Sequence, residues 1–247
     1  MARPPHRVSG ADTPVLWFTP PGGDEQHRRA LTREQVVAEA LAIIAADGAA
    51  ALSMRALAAR LGVVPGALYR HVRSKEQLFD LAADSVLAEV DTRPGRTRDW
   101  TERVRVLACR LRTVLDEHPG IAALLQTRDP LGPNSLALAE AFLAALQQAG
   151  LPPRQTALAY SLVHDYTLGF ALADRTTASE QRVRDTATRS QLHAFLRSLP
   201  PDQFPALAVL GQHVWAGNRH RRFTAGLDTI LTGLQATRQR GNPPPGP

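Results

Sequence analysis

Side chains that donate hydrogen bonds to anions are concentrated in one short segment of this sequence. Tyr69, Arg70, His71, Arg73 and Lys75 all fall within seven consecutive residues. Side chains of these types bind phosphate oxygens, and arginine also reads the edge of guanine in the major groove of DNA. The segment therefore indicates a nucleic-acid interface.

The charge of the surrounding sequence supports the same hypothesis. The chain has 247 residues and a net charge of +6, and residues 28–75 alone contain eight basic against three acidic side chains. A basic segment on an otherwise nearly neutral chain is typical of a protein with an anionic partner. A solvated charged surface is the alternative that charge alone leaves open.

Helix-start and helix-stop signals show how these residues would be positioned. Thr32 and Gln35 have the spacing of a capping box and predict a first helix that ends at Gly48. Ser53 predicts the N-cap of a second helix, and Gly62 predicts its left-handed end. The third helix is expected at about 65–71, where a proline suits the first position.

The third predicted helix is too short to be stable alone in water, so its neighbours must hold it. They are helices 1 and 2 and a fourth helix predicted after Ser74, with a capping box from Ser74 to Gln77. Two short helices around a glycine turn form a helix-turn-helix, whose second helix fits the major groove. The N-terminal amides of the fourth helix are expected to point at a phosphate near Lys75.

The rest of the chain also predicts helices, so the expected fold class is all-α. Alternating strand patterns are absent, and alanine, leucine, arginine and glutamine dominate. Further helices are expected at 99–118, 120–126, 135–149, 153–174, 191–199 and 219–238. The predicted organisation is a disordered N-terminal extension (1–30), a three-helix helix-turn-helix domain (31–77), a larger helical bundle for ligand binding and dimerisation joined through helix 4 (78–240), and a tail (241–247).

Several other function classes are not favoured. A single cysteine, Cys109, leaves no disulfide framework or cysteine zinc site and fits the reducing cytoplasm. No apolar run approaches the roughly 20 residues that span a bilayer, so no membrane partner is expected. Metal-ligand spacing and phosphate, dinucleotide and nucleophile motifs are absent, so neither a metal, a cofactor nor an enzyme is predicted. His164 and Asp165 are expected to point to different sides of a helix and not to form a dyad.

The stretch "LSMRALAARLGVVPGALYRHVRSKEQL" resembles the DNA-binding domain of the TetR family of bacterial transcriptional regulators, over residues 32–86. "DYTLGFALAD" and "RFTAGLDTILTGL" resemble the C-terminal domain of its tetracycline-repressor branch. The resemblance implies a homodimer on a pseudo-palindromic double-stranded operator. It also implies a small-molecule effector that alters the spacing of two DNA-reading heads.

The resemblance places DNA contacts on nine residues: Ser53, Arg55, Pro65, Gly66, Ala67, Tyr69, Arg70, His71 and Lys75. The front of helix 3 has few hydrogen-bonding groups in this sequence. Direct base reading is therefore expected from Arg55 and Arg70, with apolar contact from Ala67, and phosphate contacts from the others that can donate.

At the predicted effector site, this sequence differs from the tetracycline-repressor branch in the residues that would bind the ligand. Where tetracycline repressors have the histidines and asparagine that read drug and magnesium, this sequence has Asp91, Leu107 and Leu124. A mostly apolar pocket is expected, for an apolar or amphipathic molecule. His164 would orient the ligand, or else it is a core histidine bonded to a neighbour. The predicted lining is Leu107, Leu111, Leu124, Phe142, Tyr160 and His164.

The dimer interface is expected where two C-terminal helices are apolar on more than one face, because one face serves the core and the other needs a cover. Its predicted residues are Leu158, Leu162, Leu168, Leu172, Phe223, Leu227, Ile230 and Leu234. The favoured function is a repressor released from its operator by the effector. An effector-independent DNA-binding protein and a helical enzyme are the alternatives.

Overall fold

In the computed structural model, the described residues are 31–93, 95, 97–128, 131–173, 186–214 and 219–241. The predicted extension over 1–30 and the tail beyond residue 241 lie outside them. Throughout these ranges the regular secondary structure is helical, so the all-α prediction is confirmed. The helices are α1 (Arg33–Asp47), α2 (Met54–Leu61), α3 (Pro65–Leu68), α4 (Lys75–Leu87), α5 (Trp100–Glu117), α6 (Ile121–Thr127), α7 (Pro133–Gln147), α8 (Pro153–Ala173), α9 (Thr186–Ser198), α10 (Pro205–Val214) and α11 (Arg219–Gly241).

The helix boundaries of the N-terminal segment follow their predicted caps. Thr32 Oγ1 accepts a hydrogen bond from the Gln35 amide at 3.2 Å, and Gln35 Oε1 accepts one from the Thr32 amide at 3.0 Å, which completes the capping box. Ser53 Oγ accepts from the Ala56 amide at 3.1 Å. Gly62 ends α2 with φ at 65°, a left-handed conformation that glycine adopts without strain.

The predicted capping box at the start of α4 is wrong in its second half. Ser74 Oγ accepts from the Gln77 amide at 3.2 Å, as expected. The Gln77 side chain, however, accepts a hydrogen bond from the amide of Arg73 and not from that of Ser74. Gln77 is buried, and its amide oxygen reaches one residue further back along the incoming chain. This contact fixes the path of the chain between α3 and α4.

Two helix predictions also need correction. The α-helical part of α3 ends at Leu68, and residues 69–71 continue as turns. The helix α10 was not predicted, because its short apolar run contains a glycine and follows a proline-rich segment. Pro205 at its first position is the helix-start signal that could have revealed it.

Helices α1 to α3 and the start of α4 form the N-terminal part of the first unit, which is called the head. Its apolar core explains how the four-residue helix α3 is held in place. Leu68 of α3 and Val72 just after it are completely or almost completely buried, as are Ile44 of α1 and Leu57 of α2. Arg33 of α1 donates from Nε to the carbonyl oxygen of His71 at 3.1 Å. The turns that follow α3 are therefore anchored by apolar burial on one side and by a charged donor on the other.

The described residues form two compact units. The first contains the described residues up to Thr92 together with His118–Glu140. The second contains Arg93–Glu117 and the described residues from Ala141 onwards. The predicted boundary near residue 77 stays a prediction, but α4 packs against both α1 and α6 within the first unit.

A buried carboxylate fastens α4 to the start of α7 within the first unit. Asp84 of α4 is only 3% exposed. Its Oδ1 accepts from the backbone amides of Asn134 at 3.1 Å and Ser135 at 2.9 Å, and its Oδ2 accepts from Asn134 Nδ2 at 2.8 Å. Asp84 therefore caps α7 with a side chain from another helix, and the positive end of the α7 dipole stabilises its charge.

A second contact joins α4 to the segment after α6. Arg128 Nε lies 2.7 Å from Asp80 Oδ1, and its Nη2 donates to the carbonyl oxygen of Glu76 at 3.3 Å. The neighbouring Asp80 carboxylate raises the pKa of Arg128. Because Asp80 and Asp84 are four residues apart, both contacts lie on the same face of α4.

The second unit is built around α5, α8 and α11, which pack against one another. The Arg112 guanidinium of α5 lies 5.0 Å from the ring centroid of Phe170 and 4.8 Å from that of Phe223. The Tyr166 hydroxyl donates to the carbonyl oxygen of Phe223 at 3.0 Å. A Cβ atom at Gly226 would lie 2.2 Å from that hydroxyl, so the close approach of α8 to α11 requires glycine there.

Replacing Asp84 with alanine should destabilise the protein more than replacing Asp80. The first change leaves the Asn134 and Ser135 donors without their acceptor, at a cost of roughly 1–3 kcal/mol. The second removes a more exposed ion pair, worth about 0–1 kcal/mol. Urea unfolding at one fixed protein concentration measures both. Equal losses in the two variants would contradict the role given to Asp84.

Candidate nucleic-acid interface

The structure brings the predicted DNA contacts together around α2 and α3, in the first unit. Most of these side chains project into solvent, as a surface for a macromolecular partner requires. Tyr69 is 54% exposed, although it lies beside the fully buried Leu68. The exposed members are Ser53, Arg55, Pro65, Gly66, Tyr69 and Arg70, and the half-buried members are Ala67, His71 and Lys75.

The start of α2 presents a hydroxyl and a guanidinium in fixed positions. Ser53 Oγ is held by the Ala56 amide, which uses one acceptor site and leaves the hydroxyl proton free to donate. Arg55 follows in the first turn of α2 and is exposed. A serine that caps a helix and an arginine two residues later can contact a phosphate and a base from one rigid element.

The end of α3 is positioned by a residue that the sequence did not single out. Arg33 holds the carbonyl of His71, and so it fixes the turns that carry Tyr69, Arg70 and His71. Arg60 pairs with Glu39 between α2 and α1. Two of the basic residues counted in the sequence therefore have structural contacts within the head.

The N-terminus of α4 is where the sequence predicts an anion site. The Gln77 amide donates to Ser74, and the Glu76 carboxylate has a lowered pKa, chiefly because it accepts from its own backbone amide. Acceptors within the chain therefore already take up two of the amides at this helix end, and the anion site there stays a prediction. Lys75 remains as a cation there, with its ammonium 5.2 Å from the ring centroid of Phe79.

Three of the predicted effector residues form one aromatic cluster in the second unit. The rings of Phe142 and Tyr160 are 6.2 Å apart and tilted, and those of Tyr160 and His164 are 5.5 Å apart and stacked. His164 Nδ1 lies 3.6 Å from Asp165 Oδ1, so the expectation that these two side chains point apart is wrong. The separation exceeds hydrogen-bond length, and Asp165 is largely exposed.

The other predicted effector residues are buried in different places. Leu107 and Leu111 lie on α5, which packs against α8 in the second unit. Leu124 is buried on α6 and belongs to the first unit. A common pocket for all six residues stays a prediction.

Part of the predicted dimer interface lies on an open apolar groove between α8 and α11. Leu158 is 62% exposed and Leu162 is 49% exposed, which is unusual for leucine. Leu172 and Ile230 are half-buried. The groove is lined by Leu151, Gln155, Leu158, Ala159, Leu162, Leu234 and Thr237.

Three predicted interface residues are assigned to the wrong face. Leu168, Phe223 and Leu227 are 2%, 0% and 0% exposed within the single chain. They form the faces of α8 and α11 that serve the core of the second unit, so they have no surface to offer a second copy. The apolar pattern alone did not separate the two faces, because both carry leucine.

The single cysteine has the properties of an unreactive thiol. Burial raises the pKa of Cys109, so the neutral thiol dominates near neutral pH.

Across the described ranges, none of the helices is long and apolar enough to cross a membrane. Within the same ranges, no group of three His, Cys, Asp or Glu side chains is arranged to hold a metal ion.

Two family models match the chain in the order that the fold suggests. The model described as "Bacterial regulatory proteins, tetR family" matches residues 36–82, which include α2 and α3. The model described as "Tetracyclin repressor-like, C-terminal domain" matches residues 93–238. Together they account for both the DNA-contact surface and the second unit.

Relatives match over nearly the whole chain. An HTH-type transcriptional regulator of Saccharopolyspora erythraea is 36% identical, covering 90% of this chain and 92% of its own. The HTH-type transcriptional repressor DrrR1 of Streptomyces coeruleorubidus is 28% identical, covering 94% and 88%. ActR from Streptomyces coelicolor, solved in complex with actinorhodin, is 33% identical with a TM-score of 0.75, covering 85% and 99%. The chain therefore belongs to the TetR family of bacterial transcriptional regulators.

Proposed function

We propose that this protein is a cytoplasmic repressor that binds a pseudo-palindromic DNA operator as a homodimer and is released by an apolar or amphipathic small molecule. The observation that carries the proposal is the exposed surface of α2 and α3, with Arg55, Tyr69 and Arg70 on a buried scaffold. Among similar proteins, DrrR1 is named a repressor, and ActR has been solved with a bound ligand.

The DNA contacts divide into two roles. Arg55 and Arg70 are exposed arginines, whose planar guanidinium groups can donate two hydrogen bonds to guanine. Lys75 is a point charge at the start of α4 and suits a phosphate. The fixed hydroxyl of Ser53 and the exposed hydroxyl of Tyr69 suit phosphates as well. This division gives specificity to the arginines and much of the affinity to charge neutralisation.

The groove between α8 and α11 supports the proposed homodimer. Exposed leucines such as Leu158 and Leu162 beside Leu234 form an apolar surface on the side of the helix pair that does not serve the core. A two-fold symmetric contact buries the groove of each protomer against that of its partner, and the resulting dimer carries two identical heads. Two equivalent heads require two half-sites about one helical turn or somewhat more apart.

The effector is proposed to bind in the second unit, beside the cluster of Phe142, Tyr160 and His164. Aromatic rings offer large apolar surfaces, and the imidazole supplies a directed polar group. The positions that carry the metal-reading groups in tetracycline repressors are Asp91, Leu107 and Leu124 here, and both leucines are buried. A magnesium chelate would have to lose solvent against leucine there, whereas an apolar molecule gains from the same contact.

An effector-independent DNA-binding protein is the remaining alternative. Release of the protein from its operator by a small molecule separates the two functions. The ActR complex with actinorhodin supports the ligand-responsive proposal, since that structure resembles this chain over 85% of its length.

The two kinds of DNA contact predict different mutant profiles. Lys75→Ala should weaken binding to all duplexes alike and reduce the salt slope by about one unit, because one phosphate contact is lost. Arg55→Ala should cost roughly 1–3 kcal/mol and relax the preference at one base pair. Duplexes enriched from a random library, measured over a salt series, provide both quantities. Identical profiles for the two variants would refute the division of roles.

Charged substitutions in the groove should separate the dimer. Leu158→Glu combined with Leu162→Glu buries charge in the proposed contact and should give a particle near the chain mass of 26.8 kDa, with lost operator binding. Leu136→Glu is a matched control, because Leu136 is 46% exposed on α7 outside the groove. Light scattering gives the masses. A wild-type protein that is already monomeric would remove the proposed interface.

Magnesium-tetracycline should not be the natural effector. Calorimetric titration with tetracycline, with and without magnesium, is expected to show no tight binding, since the metal-reading groups are absent. A panel of apolar and amphipathic aromatic compounds should include a ligand that releases enriched operator DNA and loses affinity in His164→Ala. Submicromolar, magnesium-dependent tetracycline binding that releases the operator would overturn this prediction. A protein that no ligand releases would favour the effector-independent alternative.

A further inference from the structure

The residue before α3 is an exposed apolar side chain on the surface proposed to meet DNA. Val64 is 71% exposed. Across residues 31–93, Val64 and Tyr69 are the two exposed large apolar residues. Tyr69 has a hydroxyl that explains its place on a polar surface, but Val64 has none. Exposing a valine there brings no gain in folding, and on a surface proposed to bind DNA its side chain is free to contact the partner.

The conformation of Val64 is fixed by its neighbours. Pro65 restricts the preceding residue to extended conformations, and Val64 has φ −74° and ψ 145°. Its carbonyl accepts from the Ala67 amide at 2.9 Å, which anchors it to the first turn of α3. Valine is also restricted in its side-chain rotation. The two methyl groups are therefore presented in one direction, at little entropic cost on binding.

Gly66 gives an independent indication that a partner approaches the α3 backbone closely. A Cβ atom at this position would meet nothing within 4 Å, and its backbone is not left-handed. Nothing in the described fold requires glycine there, although glycine favours helix formation less than any residue except proline. A missing side chain on an exposed helix surface allows a partner to approach the backbone closely.

The chemistry of base edges identifies the group that Val64 would meet. Val64, Pro65, Gly66 and Ala67 offer no side-chain hydrogen bond to a base. In the major groove the apolar group of a base pair is the thymine C5-methyl, whereas the other edges carry donors and acceptors. A polar edge pressed against valine would lose water without compensation.

We propose that Val64 reads thymine in each half-site by packing its methyl groups against the thymine C5-methyl. Gly66 lets the α3 backbone approach the bases closely enough for this contact. The inference rests on the proposed operator binding and adds a base preference that does not depend on hydrogen bonds.

The test removes the C5-methyl group from the base, or the two γ-methyl groups from Val64. Duplexes enriched from a random library are remade with uracil, which lacks the C5-methyl, in place of each thymine. Wild-type affinity should fall about four-fold at one position in each half-site, the value for one buried methyl-sized group. In Val64→Ala the same uracil substitution should have no further effect, because the partner group is gone.

Two further variants separate this contact from general effects. Val209→Ala makes the same change at a valine that is 68% exposed on α10, and it should leave affinity and uracil sensitivity as in the wild type. Gly66→Ala should keep or raise the thermal stability, because the added methyl meets no neighbour within 4 Å. It should nevertheless weaken binding to the enriched duplexes, because the added methyl separates α3 from the bases.

The outcomes distinguish this inference from the function on which it rests. Enriched duplexes whose affinity is insensitive to uracil, or equally sensitive in wild type and Val64→Ala, would overturn the thymine contact alone. Unchanged binding by Gly66→Ala would overturn the close approach. A protein that enriches no sequence would overturn operator binding and this inference together.

Discussion

The position of α4 depends on one buried carboxylate. Asp84 accepts hydrogen bonds from the first amides of α7, and it lies on the helix that packs against α1 of the head. A negative charge with this little exposure is tolerated because three donors and the α7 dipole stabilise it. Any movement of α7 relative to α4 would separate this charge from its donors. The first unit therefore behaves as a body in which α4 and the start of α7 move together.

The DNA-contact surface uses the same combination of apolar burial and one directed charge. Leu68 of α3 and Val72 after it are buried, and Arg33 donates to the carbonyl of His71 in the turns that follow α3. A helix of four residues has no stability of its own, so its geometry is a property of the whole head. Precise reading of DNA then requires no long recognition helix, because the scaffold supplies the rigidity.

Local signals in the sequence were sufficient for most helix ends and for placing the predicted DNA contacts around α2 and α3. The caps at Thr32, Ser53 and Gly62 involve residues within four positions, so spacing alone identifies them. The Asp84 contact joins residues 50 positions apart, and no local pattern encodes it. The sequence pattern also did not distinguish the core faces of α8 and α11 from their exposed faces, for a related reason. Leucine occurs on both faces, and only the packing of the folded unit decides that Leu168 is buried while Leu158 is exposed.

The contact of Tyr166 with α11 has a consequence for the evolution of this chain. The tyrosine hydroxyl occupies the volume that a methyl group at Gly226 would fill, at 2.2 Å, and its ring carbon Cζ lies at 2.9 Å. Neither position can therefore change alone toward a larger residue. Homologues that carry a side chain at the position of Gly226 should carry a residue smaller than tyrosine at the position of Tyr166. The pair should covary across the family branch, independently of the effector each member recognises.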